Sequence, residues 1–229
     1  MKGGAEQWLA AMWPLVRDRL PAPPARVVEI GCGPLGGFVP ELRSSGYEAV
    51  GVDPKAPDEE EYRRSEFEHV DLPSDFDAVV ASTSLHHVVD PVEVIDRVAR
   101  VLASEGTFVV VEWAWEDFDE PTARWCFGRL GSDERPSWLQ RRRDEWADSG
   151  QEWDTYLRSW AEQERLHSAA ALLRLLDERF DRRHLSRGPY FFADLSGTSM
   201  EDEQAAINAG EVQPTRIEYV GTLRRARSS

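Results

Sequence analysis

Residues 26–38 read RVVEIGCGPLGGF, and the reading of this stretch decides the fold. The apolar run Val27, Val28 and Ile30 stops at Gly31, and Gly33, Gly36 and Gly37 follow within a few residues. Such a run predicts a buried strand breaking into a tight turn. Glycine has no Cβ, so a turn of this kind lets backbone come close to a bound molecule. Gly31, Gly33 and Gly36 also spell G-x-G-x-x-G, and Asp53 lies near the separation of about 20 residues at which a dinucleotide-binding unit places its ribose-holding acid. Glu29 argues against a pyrophosphate. It stands two residues before Gly31, where a carboxylate repels phosphate arriving at a helix amino terminus and suits a cationic ligand instead.

Working outward, apolar periodicity predicts a helix from about Glu6 to Leu20, carrying Trp8, Leu9, Met12, Leu15 and Val16 and kinked or split at Pro14. The PAPPA segment from Pro21 reads as a stiff linker. After the glycine turn the expected order is helix (37–44), strand (48–52), strand (67–70), strand (76–81), helix (90–102) and strand (107–113). Strand and helix alternate, as in an α/β sheet. From Asp117 to Gly188 there is no strand-like run; a helix is expected from about Trp160 to Phe180, with Leu166, Ala169, Leu173, Leu176 and Phe180 on one stripe. A strand at 189–195, a helix opened by Ser199 with Asp202 as a capping box, and a last strand at 216–223 complete the chain. The predicted division is an N-terminal helical cap (1–25), an α/β core (26–116 and 188–229) and a helical insert (117–187).

Five blocks in order, VVEIGCG (27–33), VGVDP (50–54), HVDLP (69–73), FDAVVASTSLHHVVDP (76–91) and GTFVVVE (106–112), resemble the class I (Rossmann-like) S-adenosylmethionine-dependent methyltransferases, and PYFFADL with TRIEYVGTL fits the same fold's terminal strand pair. The resemblance implies a seven-stranded, mainly parallel Rossmann-like sheet with an antiparallel last strand and a helical insert between strands 5 and 6. It also implies S-adenosylmethionine as cofactor, with S-adenosylhomocysteine as product. Carried over by residue, Glu29 lies near the methionyl ammonium, and Gly31, Cys32 and Gly33 form the turn along the methionine and ribose. Asp53 accepts from both ribose hydroxyls and Pro54 lies beside the adenine. Asp71 accepts from the adenine amino group with Leu72 against the ring, and the Ser82 carbonyl meets the methionyl amine. PLGG has one residue more than the family spacing, which leaves Gly36 and Gly37 unassigned.

A sulfonium donor is already activated, so the protein has chiefly to align the acceptor and exclude water. His86 and His87 follow the fourth strand and are the candidate general bases, the alternative being that they merely cap the turn before Asp90. His87, Trp113 and Trp115 are the candidate acceptor contacts. The Trp-rich insert, with the helix around Trp8 and Met12, is expected to cover an aromatic acceptor pocket as a lid, or else to supply a homodimer surface. Adjacent histidines with no third ligand at an informative spacing predict no metal site.

A net charge of -15, with 2 of the 27 basic residues lysine, disfavours nucleic acid as a partner. Two cysteines in unlike contexts, no secretory leader pattern and no apolar run of spanning length lead to the expectation of a cytoplasmic protein without a membrane partner. The expected activity is methyl transfer to oxygen, nitrogen or carbon of a small molecule, such as a secondary metabolite. The rival readings are an NAD(P)-dependent oxidoreductase and a non-catalytic cofactor-binding partner protein.

Overall fold

In the computed structural model, which describes residues 3–131 and 137–224, the apolar run opening the quoted stretch is strand β1 (Arg26–Ile30). It lies inside a sheet with β2 (Glu48–Val52), β3 (Tyr62–Arg63), β4 (Phe76–Ser82), β5 (Leu102–Trp113), β6 (Phe180–Gly188) and β7 (Arg216–Leu223). The order is β3-β2-β1-β4-β5-β7-β6. Neighbours from β3 through β5 pair in parallel, and β7 runs antiparallel to both β5 and β6. Chain order reverses between β1 and β4, and a crevice opens outside the carboxyl ends of strands at such a switch point.

The parallel strands are covered on both faces. On one face Val28, Ile30, Val79, Ala81, Phe108 and Val110 pack against α3 (Pro91–Val101) and α7 (Ala169–Arg179) through Val94, Ile95, Val98, Leu172 and Leu176. On the other, Val27, Ala49, Ala78, Val80, Val109 and Val111 meet α1 (Gly4–Arg17) and α2 (Val39–Ser44) through Met12, Val16, Val39 and Leu42. The period-two alternation along β1, β4 and β5 thus sorts side chains into two cores. Pro14 lies within a continuous α1 rather than splitting it.

Beyond β5, α4 (Glu120–Phe127), α5 (Trp138–Ser149) and α6 (Trp153–Gln163) build a third core with Trp113, Phe118, Leu139, Trp153, Phe191 and Leu195. α8 (Met200–Asn208) opens on the expected capping box, Ser199 with Asp202.

Three expectations are corrected. The third strand is Tyr62–Arg63, not 67–70; Phe67 and Val70 are buried as a strand's residues would be, yet sit on a turn. The helix expected over 160–180 is two, α6 and α7. Arg165 between them adopts a left-handed backbone, and the Ser168 hydroxyl restarts the helix by accepting from the Ala171 amide. The sixth strand is 180–188, and the segment 189–195 instead turns through a short 3-10 helix at Phe192–Asp194. Part of the stretch given to the insert therefore belongs to the sheet, because β6 completes it and α7 packs on it beside α3. Physically, β6 is an edge strand with one neighbour, so its exposed polar residues (Arg182, Arg183, Arg187) mask the strand pattern, whereas Phe191 and Phe192 are apolar because they fill two of the cores.

Candidate active site

The glycine turn follows β1 at the switch point, and at Gly31 and Gly37 there is no room for a side chain. Gly31 has φ +76°, and a Cβ there would overlap the Cβ of Ser84, so the Ser84 side chain, in the turn after β4, packs directly on the bare Gly31 backbone. Gly37 has φ +59°, and a Cβ there would collide with the Glu29 carboxylate. That carboxylate is buried and accepts the Phe38 amide at 2.7 Å and the Val39 amide, which anchors the start of α2. Burial, reinforced by Glu41 and Asp53, pushes the Glu29 carboxyl up to about 8 against the lowering effect of those amides. Cys32 faces the core, and burial beside Glu29 and Asp53 pushes its thiol well above the ordinary range, which makes it unreactive packing.

Two cavities flank this turn. One, of about 330 Å³, is lined by Gly4, Ala5, Trp8 and Leu9 of α1, by the turn from Glu29 to Gly37, by Ser82 and Thr83, and by Tyr190, Ala193 and Asp194. The other, of about 430 Å³, is lined by Ile30, Gly31, Val52, Asp53, Pro54 and Lys55, by residues 65–68, and by Thr83, Ser84, His87 and Val88. Gly31 and Thr83 belong to both. Thr83 has φ +47°, a conformation in which a β-branched residue is strained.

The turn after β4 is held by one buried carboxylate. Glu112, on β5, accepts the Ser84 and Leu85 amides at 2.8 and 2.6 Å, the Trp113 amide at 3.1 Å, and lies 2.5 Å from His86 Nδ1. Burial raises the Glu112 carboxyl, but His86 and the amides outweigh it and hold it below the ordinary carboxylate range. His86 is equally buried, stacks edge-on to Trp113, and its carbonyl accepts the His167 amide. Burial, with His86 alongside, depresses His87 to about 4, so its imidazole is neutral at physiological pH.

The structure brings together Glu29, Gly31, Cys32, Gly33 and Ser82 around the first cavity, and Gly31, Asp53, Pro54 and His87 around the second. It does not bring Asp71 and Leu72 to either. They line a cavity at the opposite, amino edge of the sheet with Arg26, Glu48 and Phe76, the first residues of β1, β2 and β4. Because β3 ends at Arg63, the acids that reach the carboxyl edge are Glu66 and Glu68, with Phe67 between them. The short strand gives no period from which to count.

His86 lines neither cavity, and His87 faces the second, not the one that α1 closes. Trp113 stands behind Tyr190, stacked on it at 5.7 Å and 12°, and Trp115 is tied by its indole N–H to the His167 carbonyl. Of the expected lid, the amino-terminal helix lines the first cavity, whereas among the described residues α4–α6 contribute no side chain to it. Its roof is α1 with the 190–194 segment, and the insert buttresses that segment through Phe191 and through Trp138 Nε1, which donates to Asp194 at 2.9 Å. The insert's aromatics are buried or partly buried in the third core; in the stretch 117–187 the exposed large apolar side chain among the described residues is Leu185 on the edge strand. The helix around Trp8 was expected at this pocket, but its partners Tyr190 and Asp194 escaped sequence reasoning because they come from the opposite end of the chain and share no motif with it.

Residues 5–180 match the family model described as a methyltransferase domain. Solved structures share the fold. An S-adenosylmethionine-dependent methyltransferase from Mesorhizobium loti is 20% identical, with 93% of this chain and 97% of that one covered at a TM-score of 0.56. The PH0226 protein of Pyrococcus horikoshii OT3 is 14% identical, with 96% and 91% covered and a TM-score of 0.59. Geranyl diphosphate C-methyltransferase from Streptomyces coelicolor A3(2), seen with Mg2+, geranyl diphosphate and S-adenosyl-L-homocysteine, is 15% identical, with 96% and 82% covered and a TM-score of 0.56. No curated protein matches the chain. A sheet of this order with a glycine turn at the switch point defines the class I architecture, and the chain belongs to the methyltransferase-domain family as an S-adenosylmethionine-dependent methyltransferase. No helix among the described residues is long and apolar enough to cross a membrane.

Proposed function

We propose that the chain transfers a methyl group to a small-molecule acceptor held in the cavity between α1, the glycine turn and the 190–194 segment. The observation that carries this reading is the pair of cavities meeting at Gly31 and Thr83, one lined by Asp53, Glu66 and Glu68 and the other, of about 330 Å³, walled on one side by Trp8 and Tyr190. The Glu29 and Ser82 side of that cavity would take the amino-acid end of the cofactor, and the Trp8 and Tyr190 side that is left suits a small organic molecule rather than a nucleic acid or protein segment.

The residues fit the cofactor. The Ser82 hydroxyl is buried without a partner beside the first cavity, a side chain added at Gly33 would meet no protein atom, and Glu29 places a carboxyl, held protonated by burial until a cation beside it favours the charged form, where a methionyl ammonium belongs. Glu29 and Ser82 would hold the amino-acid end. Asp53 would take the ribose, for its Oδ1 is engaged by the Lys55 amide at 2.6 Å and its second oxygen carries no such bond. Pro54, Phe67 and His87 would frame the adenine, with Glu66 or Glu68 replacing Asp71 as acceptor for its amino group. When bound, the cofactor supplies a methyl group on a sulfonium, already activated for in-line displacement. The chain's part is then to position the acceptor against Tyr190 and Trp8 and to exclude water. Neither imidazole faces the acceptor cavity, so alignment rather than base catalysis by a histidine is the mechanism this geometry favours.

Calorimetric titration should give tight binding of S-adenosylhomocysteine and none of NADH; the reverse preference would overturn the reading. Incubation of the enzyme with a small-molecule extract and cofactor carrying a 13C methyl group should label a low-mass product. Label confined to macromolecules would refute the acceptor class.

A further inference from the structure

Resting on the methyl-transfer reading, we propose that the acceptor is a small amine recognised as its ammonium ion by Asp194 and by the rings of Trp8 and Tyr190. The ionisable groups lining the first cavity are Glu29, Cys32, Tyr190 and Asp194; no lysine, arginine or histidine stands among the described lining residues. An anionic acceptor would therefore meet only like charge or none, and a protein of net charge -15 attracts cations from a distance.

Within the cavity the two acids have separate tasks. Glu29 lies on the β1 side beneath the glycine turn and is committed to the Phe38 and Val39 amides. Asp194 lies on the roof, against the start of α1. Its Oδ2 accepts from Trp138, and its Oδ1 has no donor among the described residues. Burial raises the Asp194 carboxyl, a cost that a cation beside it would offset.

The rings make the other half of the site. Trp8 and Tyr190 meet at 67° with centroids 6.2 Å apart, an aromatic corner, and Tyr190 is fixed in place by stacking on Trp113 and by the Tyr190 amide, which Glu203 accepts at 2.8 Å. Aromatic faces joined to a carboxylate are the usual means of holding an alkylammonium group, since the ring quadrupole attracts the charge while the apolar surface takes the carbon skeleton. The ammonium is the recognised group, whichever atom receives the methyl.

The test is calorimetry on protein saturated with S-adenosylhomocysteine, titrated with 2-phenylethylammonium, 2-phenylethanol and phenylacetate. The ammonium should bind at least tenfold tighter than the alcohol, and phenylacetate least. Asp194→Asn keeps an oxygen for Trp138 and should abolish the preference while S-adenosylhomocysteine affinity stays unchanged. Trp8→Leu should reduce the preference by a separate route. Equal or tighter binding of the alcohol or carboxylate, no binding of any of the three, or a preference that survives Asp194→Asn would overturn the proposal. A fall in S-adenosylhomocysteine affinity in Asp194→Asn would also overturn it, by assigning Asp194 to the cofactor. Failure of the unsubstituted protein to bind S-adenosylhomocysteine would instead sink the methyl-transfer reading on which this one stands.

Discussion

Glu29 carries a pH dependence that its surroundings dictate. With its carboxyl near 8 in the folded chain against an ordinary value of 4.5, the native state holds a proton that the unfolded state releases, so stability contributed by this residue falls as pH rises through that window. A cationic group bound beside it favours the carboxylate and reverses the trend. The rise in melting temperature produced by saturating S-adenosylhomocysteine should accordingly grow between pH 6 and pH 8, and Glu29→Gln should flatten that dependence in the same thermal scans.

At Asp53 and Asp71 two carboxylates of equal standing in the sequence part company. Asp53→Ala should weaken S-adenosylhomocysteine binding by roughly 1.5–3 kcal/mol, the worth of hydrogen bonds to a charged acceptor, whereas Asp71→Ala should leave it unchanged by the same calorimetric titration. The place of Asp53 at the second cavity was legible because it directly follows a strand whose apolar pattern is unbroken. Asp71 misled because Phe67 and Val70 bury like strand residues, while the strand itself spans only Tyr62–Arg63.

At the scale of elements, the turn after β4 is built from β5 outward. Glu112 satisfies three amides and the His86 ring at once, with both side chains out of solvent. Removing one member of a buried pair strands its partner, so Glu112→Ala should cost about 3–5 kcal/mol in denaturant unfolding. GTFVVVE shows where the fifth strand runs but not this task, since a carboxylate at a strand end reads equally well as a surface charge. The sixth strand was hidden for the opposite reason. Its charged residues announce solvent, and only the pairing of Phe180–Gly188 with β7 makes it a strand. Where an element is buried on both faces, composition betrays it; where it lies at an edge, partnership defines it and sequence periodicity fails.

Across the whole molecule, the cavity proposed for the nucleoside of the cofactor comes from adjoining strands of the early chain, where the five ordered blocks lie. The acceptor half joins α1 to a segment some 180 residues later, and nothing local encodes that meeting. The helical insert supports this wall without touching what lies inside it. Trp153 is fully buried there, with its indole N–H donating to the Phe118 carbonyl at 2.5 Å. Trp153→Ala should cost about 3–5 kcal/mol, measured by denaturant unfolding, and should loosen the Tyr190 wall more than the Asp53 side.

Gly31 and Thr83 front both chambers, so on the proposed reading donor and acceptor meet over a shared floor. The two ligands cannot be treated as independent occupants: whichever arrives first sets the backbone that greets the second. Specificity for the acceptor is therefore open to tuning by changes on the nucleoside side, without altering one atom of the aromatic corner.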